Sequence, residues 1–245
     1  SSKKQVVVEV KGTAFIPALK AAMTSMGFDP SQAWCLGVTA SFGKQLNLYS
    51  SDNFTMSRAT CPVKGGNPGD SIILPPKFCE LLVSLNSRDR VKTLTYCIEG
   101  GTKWVKAAFE SGTVLFSKAI LQDNLTAFSE VEKTAPGGGL VEIPAGFARC
   151  LERSCALLSS AQDKHGEVKI VDGVLRLKTT TPMGQIIDKI KVPGHEDVEL
   201  RVAPPFLHRV LEFCSEIRFT KQMVELSGGG EKFKFRHYVC SVVVE

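Results

Sequence analysis

The sequence predicts an α+β protein made of two tandem homologous domains, in each of which two helices pack on antiparallel sheet. Two observations lead to this prediction. A hairpin pattern of two glycines, a lysine and an aromatic residue occurs at Gly100–Trp104 and again, 129 positions later, at Gly229–Phe233. The order of the predicted helices and strands also repeats once along the chain, as in a duplicated structural unit.

The first half of the chain predicts two helices among short strands. Apolar residues recur at helical spacing from Phe15 to Met26, so we expect a helix that ends near Gly27 with Pro17 in its first turn. A second helix begins at Pro75-Pro76. The predicted strands of this half are Gln5–Val10, Ala33–Ser41, Lys44–Ser50, Asn53–Val63, Ser71–Leu74, Val91–Glu99, Thr102–Glu110 and Thr113–Ile120.

The same order returns after Leu121–Gly139, an acidic and polar segment that ends in a run of glycines. A third helix is predicted from Pro144, and its buried stripe is Phe147, Cys150, Leu151, Ser154 and Leu158. A fourth helix begins at Pro204-Pro205, and its buried stripe is Leu207, Val210, Leu211 and Cys214. The predicted strands are Leu140–Ile143, Glu167–Val171, Val174–Thr180, Gln185–Val192, Glu199–Ala203, Ile217–Ser227, Lys232–Arg236 and Tyr238–Val244. We therefore expect domains at 1–120 and 140–245, joined by a linker at 121–139.

The composition limits the classes of protein to which the chain can belong. The chain has 245 residues and is 43% hydrophobic and 22% charged, which is typical of globular proteins. No apolar run approaches the ~18 residues that cross a bilayer, and no signal region follows the first residues. The eight cysteines form no C-x-x-C pair, so reduced core cysteines are favoured over disulfides or metal sites.

Motifs of catalysis are missing from the sequence. It contains no phosphate-binding glycine loop, no nucleophile elbow and no paired histidines at metal-ligand spacing. We therefore expect a protein that is not an enzyme and has no cofactor or metal.

Basic residues on the outer helix faces are the candidate nucleic-acid contacts. Arg149 and Arg153 lie four positions apart and so share one face of the third helix, whereas small residues (Ala18, Ala21 and Thr24) dominate the outer face of the first. A basic helical surface contacts phosphates without reading bases, but solvated amphipathic helices give the same pattern. The candidate DNA-binding residues are Lys20, Lys77, Arg88, Arg149, Arg153, Lys164, Arg209, Arg218 and Lys221.

The duplicated layout, with two helices in each domain, resembles the DNA sliding clamp family, the processivity factors of replicative polymerases. Two short motifs are similar to bacterial beta clamps. Leu46–Asp52 ends in Ser51-Asp52 where those clamps have Thr-Asp, and Tyr238–Val244 matches their C-terminal tail without its proline. The resemblance implies a closed ring of six domains. Because this chain has two domains, it implies a homotrimer that encircles double-stranded DNA regardless of sequence and binds a DNA polymerase and a clamp loader.

The resemblance also implies where copies and clients bind. Exposed sheet edges favour pairing between chains, and the family uses the strands that correspond to Thr113–Ile120 and Gln185–Val192. Clients dock a short hydrophobic peptide near the linker and the tail, although a plain core strand explains Tyr238–Val244 equally well. The corresponding partner-peptide residues are Leu121, Leu125, Phe128, Tyr238, Val239, Val242 and Val244.

Two other functions remain open at this point. A monomeric, non-ring DNA-binding processivity factor has the same fold, and a structural scaffold protein without a DNA role fits the composition. For the clamp we expect a cytoplasmic location, which is the cytoplasm of the bacterial host if the protein is encoded by a phage.

Overall fold

The computed structural model describes residues 5–27, 29, 31–32, 35–99, 102–120, 125–135, 139–159 and 165–242. The helices are α1 (Gly12–Met23), α2 (Pro76–Asn86), α3 (Leu125–Thr134), α4 (Phe147–Leu158) and α5 (Pro204–His208). The strands are β1 (Val6–Val10), β2 (Val38–Ser41), β3 (Gln45–Ser51), β4 (Thr55–Gly65), β5 (Ser71–Leu74), β6 (Val91–Glu99), β7 (Thr102–Phe109), β8 (Val114–Lys118), β9 (Val141–Glu142), β10 (Gly166–Val171), β11 (Val174–Thr181), β12 (Gly184–Lys191), β13 (Val198–Val202), β14 (Cys214–Phe219), β15 (Met223–Gly230) and β16 (Phe233–Cys240).

The chain divides into two compact units. Unit 1 comprises Ser1–Glu132 with Gly229–Phe235, and unit 2 comprises Lys133–Gly228 with Arg236–Glu245. The order strand, helix, three strands, strand, helix, three strands runs from β1 to β8 and again from β9 to β16, with α3 between the two runs. The predicted fold class and the duplicated order are thus confirmed. The limits 1–120, 121–139 and 140–245 remain predictions.

Unit 1 is an antiparallel structure covered by α1 and α2. β1 pairs with β4 on one side and β6 on the other, and β7 and β8 continue the sheet beyond β6. β3 pairs with β4 and β2, and β2 pairs with β5. α1 packs on β3 and β4 and lies beside α2. Phe15 and Leu19 of α1 and Leu46 and Leu48 of β3 are completely buried, which places the core between the helices and the strands.

Unit 2 repeats this arrangement with a shorter second helix. β10 lies between β11 and β13, and β12 pairs with β11 at the edge of this four-stranded sheet. β14 pairs with β9 and β15. α4 packs on β11 and β12 and lies beside α5. The β10–β11 hairpin turns at Asp172-Gly173, where both residues have positive φ, as the favoured two-residue turn requires.

Three helices differ from their predictions. α4 begins at Phe147 and not at Pro144. α1 begins at Gly12, so Pro17 is the sixth residue of the helix and not in its first turn. α5 ends at His208 and is followed by a 3-10 turn at Leu211–Phe213, so Cys214 does not lie on its buried stripe. Cys214 is extended instead, because it pairs with Gly228 of β15. Tertiary strand pairing therefore overrides the helical pattern.

The last predicted strands are also divided differently. Ile217–Ser227 is interrupted by a turn in which the backbone N–H of Thr220 donates to the Met223 carbonyl oxygen and the backbone N–H of Met223 donates to Thr220 Oγ1. Lys232–Arg236 and Tyr238–Val244 instead form one strand, β16, up to Cys240. The predicted strand is therefore a hairpin of two strands, β14 and β15.

Helix α3 lies within the segment that was predicted to be a linker. It spans Leu125–Thr134 and buries Phe128. Phe128 therefore anchors this segment to the protein. No helix within the described ranges is long and apolar enough to span a membrane.

Candidate nucleic-acid and partner interface

Helix α4 presents one basic and one apolar face. Its five predicted stripe residues, Phe147 to Leu158, are all buried, so the sequence pattern is confirmed. Arg149 and Arg153 lie outside this stripe and are both exposed. Arg149 makes no ion pair or side-chain hydrogen bond within the described part of the chain, so its guanidinium remains available to an anion.

Arg153 forms an ion pair with Asp188. Its Nε donates to Asp188 Oδ2 at 3.2 Å and its Nη2 donates to Asp188 Oδ1 at 2.5 Å. Asp188 lies on β12, and its side chain retains 14% of its exposed surface, against 47% for Arg153. Such two-bond arginine–carboxylate pairs are among the stronger ion pairs in proteins. The structure therefore does not support a simple assignment of Arg153 to DNA.

Unit 1 also contributes basic residues on or near its helices. Lys20 is exposed in the last turn of α1, and Arg88 is exposed two residues after α2. Lys77 of α2 is exposed and contacts Glu80 at 3.1 Å, a surface pair of small energetic weight. The predicted outer face of α1 needs correction, because Ala18 and Ala21 are completely buried.

The remaining basic candidates of unit 2 have different surroundings. Arg209 is half-buried and lies over the Phe206 ring, 4.6 Å from its centroid. Arg218 lies in β14 and forms an ion pair with Glu225, a carboxylate that is 2% exposed. Its charge is thereby neutralised, which removes Arg218 from the available phosphate contacts. Lys221 is exposed in the β14–β15 turn. Lys164 lies outside the described residues.

The predicted client residues of α3 are partly occupied. Phe128 is 2% exposed and stacks on Tyr49 of β3 with the ring centroids 5.0 Å apart. Glu132, one turn later, accepts a hydrogen bond from Arg58 Nη1 at 2.6 Å. A docking peptide would have to displace α3 to reach Phe128. Leu125 is half-buried, and Leu121 lies outside the described residues.

The predicted client residues of the tail lie mostly in a core strand. Tyr238 and Val239 of β16 are each 1% exposed, which agrees with the alternative interpretation of Tyr238–Val244 as a structural strand. Val242 is half-buried, and its backbone N–H donates to the Arg201 carbonyl oxygen at 2.8 Å. Val244 lies outside the described residues.

One exposed aromatic residue was not singled out from the sequence. Asp52 Oδ1 accepts hydrogen bonds from the backbone N–H groups of Phe54 and Thr55, and Asn53 has a φ of 71°. This tight turn leaves Phe54 59% exposed. The signal was present in the sequence, because Asp and Asn favour such turns.

Several buried or half-buried titratable groups outside these surfaces have shifted pKa values. Burial, with a smaller effect of the Arg209 charge, lowers the pKa of His237 to about 3. Burial raises the pKa of Cys61 and Cys214 to about 12 each. Cys240 is the exposed cysteine. No cluster of potential metal ligands occurs among the residues that the structure describes.

Comparisons with known proteins identify the fold. No protein-family model and no curated protein matches the chain. Among solved structures, the DNA polymerase III beta subunit of Thermotoga maritima matches 100% of this chain and 67% of its own, with a TM-score of 0.81 and 16% identity. The beta sliding clamp of C. crescentus matches 100% and 68%, with a TM-score of 0.81 and 15% identity.

A DNA polymerase sliding clamp from Pseudomonas aeruginosa gives the same result. It matches 98% of this chain and 67% of its own, with a TM-score of 0.81 and 12% identity. The chain therefore has the fold of bacterial sliding clamps over about two thirds of their length, as the sequence resemblance implied.

Proposed function

We propose that this chain is a DNA sliding clamp, a non-enzymatic processivity factor that encircles duplex DNA and tethers a DNA polymerase. The observation that carries the proposal is the match of the entire duplicated fold to proteins named as polymerase sliding clamps. Matching two thirds of a bacterial clamp fits a chain with two clamp domains, of which three copies supply the six domains of a ring. This is the arrangement that the resemblance implies for clamps of the phage type, acting in the cytoplasm.

The sheet edges support self-association. β8 pairs with β7 on one side, and β12 pairs with β11 on one side. Each stands at the end of its sheet in the described part of the chain. Both edges carry exposed apolar side chains, with Phe116 of β8 60% exposed and Ile187 of β12 42% exposed.

The two edges belong to different units, so β8 of one copy can pair with β12 of the next. Such head-to-tail pairing leaves no free edge once it closes into a ring. Head-to-tail pairing that does not close would instead extend into a filament with a free strand edge at each end. A closed ring has no such edges and is therefore the more favourable assembly. A clamp loader then acts by opening one such junction.

Encirclement places few chemical demands on the surface that faces DNA. Lys20 and Arg149 are exposed helix residues without acidic partners in the described ranges, and Lys77 and Arg88 lie on or just after α2. Scattered cations of this kind contact phosphates without sequence preference and release them at moderate salt. The chain thus slides on DNA, because the closed ring retains it and strong contacts do not.

The decisive experiment separates topological retention from affinity. The protein is mixed with nicked circular DNA below its self-association midpoint, concentrated so that rings close, and passed through a sizing column in high salt. Protein should remain with circular DNA and leave it after a restriction enzyme linearises the circle. Equal release from circular and linear DNA would refute encirclement, and a mass of one chain at every concentration would refute the ring.

Phe116→Asp is the matched test of the edge. The variant should lose both self-association and retention, because an aspartate at the edge opposes strand pairing. Phe54→Asp replaces an aromatic residue of nearly equal exposure, 59% against 60%, away from both edges and should still self-associate. Similar association defects in the two variants would point to general misfolding and contradict the assigned edge.

A further inference from the structure

The inward-facing row of β12 contains one charge among apolar residues. Ile186, Asp188 and Ile190 are half-buried, whereas Ile187 and Lys189 between them are exposed. The helix side of this row is identified by Gly146, the residue before α4, whose added Cβ would lie 4.0 Å from Ile190 Cγ2. Asp188 therefore lies under α4, in the middle of the strand that forms the sheet edge.

A carboxylate in this position needs a cationic partner, because desolvating an unpaired charge is unfavourable. Arg153 provides two hydrogen bonds to Asp188 from one turn of α4. The fork geometry of guanidinium and carboxylate fixes direction as well as distance. The pair thus ties the centre of β12 to the helix packed above it.

Arg149 offers a comparison on the same helix. It precedes Arg153 by four residues, shares its face and is likewise exposed. No acidic residue pairs with it in the ranges that the structure describes. One of two similar arginines is thus committed to the sheet edge, and the other projects toward solvent.

We propose that Arg153 is a positioning residue that holds the β12 edge in the register required for association with the next copy, and that Arg149 supplies the phosphate contact of this helix face. This inference rests on the proposed function, because it takes β12 to be a junction between copies. It assigns separate roles to two residues that sequence reasoning had placed together in DNA binding.

The first test is self-association in the absence of DNA. Arg153→Gln and Asp188→Asn should each raise the midpoint of the association curve about tenfold in a sedimentation concentration series. Arg149→Gln should leave the midpoint at the wild-type value. The exchange Arg153→Asp with Asp188→Arg should restore most of the loss, which a nonspecific packing defect would not allow. No rescue, or an unchanged midpoint in Arg153→Gln, would overturn the proposal.

The second test uses DNA. At concentrations where all variants are assembled, the slope of log affinity against log salt for a duplex should fall by about one per copy in Arg149→Gln. The fall in Arg153→Gln should be clearly smaller. If Arg153→Gln reduces the slope as much as Arg149→Gln, Arg153 is a phosphate contact and the division of roles is wrong.

Hydrogen exchange distinguishes this inference from the proposed function. Amides of 184–191 should exchange faster in Arg153→Gln than in Arg149→Gln, while those of β14 should be unchanged. If the wild-type chain never associates, the ring fails, yet the exchange comparison still shows whether Arg153 orders β12. Faster exchange throughout unit 2 would show a general stability effect and refute positioning.

Discussion

Helices α1 and α4 occupy corresponding places in the two units but have different surfaces. α1 buries eight of its twelve residues, including Ala18 and Ala21, and its cation is Lys20 in the last turn. α4 buries five of twelve and exposes Arg149 and Arg153. Duplication thus preserved the layout while one copy became a core helix and the other an amphipathic surface helix. In a ring of such chains, both units would supply exposed cations, such as Lys20 of α1 and Arg149 of α4.

The largest expected effect tests this difference in burial. Ala21→Glu should destabilise the protein by about 4 kcal/mol, because it places an unpaired charge in a completely buried position. Ala156→Glu, the same substitution at an exposed position of α4, should change stability by less than about 0.5 kcal/mol. Urea unfolding followed by circular dichroism measures both. Comparable losses in the two variants would contradict the distinction between a core helix and a surface helix.

A second prediction concerns α3, which packs on unit 1 through Phe128. Phe128→Ala should cost about 3 kcal/mol, because it removes a buried ring and its stacking on Tyr49. Urea unfolding followed by tryptophan fluorescence is the suitable measurement, since both tryptophans, at positions 34 and 104, belong to unit 1. The control is Thr126→Ala on the exposed side of α3, which should be nearly neutral. Equal effects would mean that α3 does not stabilise unit 1.

A third prediction, small near neutral pH, is a dependence of stability on pH in unit 2, which contains all four histidines. His237 has a folded-state pKa of about 3, below its ordinary value of 6.5. Between these values the unfolded chain binds a proton that the folded chain does not. The contribution of His237 to the free energy of unfolding is therefore fully present above pH 6.5. It falls as the pH is lowered toward 3, by at most about 1.4 kcal/mol per pH unit.

His237→Gln should remove most of this slope and leave the part due to His195, whose pKa burial also lowers. His208→Gln, at an exposed position, should retain the slope. The difference between variant and wild type is the relevant quantity, because carboxylates also titrate in acid. Hydrogen exchange in unit 2 measures it, and tryptophan fluorescence provides the unit 1 reference. If stability depends on pH as steeply in His237→Gln as in the wild type, the acid sensitivity belongs to other groups.

The sequence predicted most of what depends on local pattern. The stripe of α4 and the bounds of β5 and β6 are predicted as observed, because periodicity is local. The predicted strands Glu167–Val171 and Val174–Thr180 likewise leave two residues, Asp172-Gly173, for the turn that is observed there. The resemblance to clamps added the correct fold. What could not be predicted depends on distant neighbours. Arg153 and Asp188 are 35 positions apart, and nothing in either segment indicates their pairing.

Helices α1 and α5 also show that local sequence pattern does not reveal tertiary contacts. Ala18 and Ala21 were assigned to an outer face because small residues do not reveal burial, yet α1 packs against strands and α2 on most of its surface. The prediction makes the fourth helix too long because Leu211 and Cys214 continue its helical spacing. Cys214 instead pairs with a residue of β15. The candidate DNA surface shows the same limit, because Arg218 pairs with the buried carboxylate of Glu225.

The cysteines differ in exposure and pKa, which has a practical consequence for fluorescent labelling of this protein. Thiols react with maleimides as thiolates, and burial keeps Cys35, Cys61 and Cys214 protonated by raising their pKa to about 11 or 12. Cys240 is exposed at the end of β16. A fluorescent dye added near neutral pH should therefore attach first to a single native position, which would allow individual molecules to be followed along DNA without engineering a new thiol.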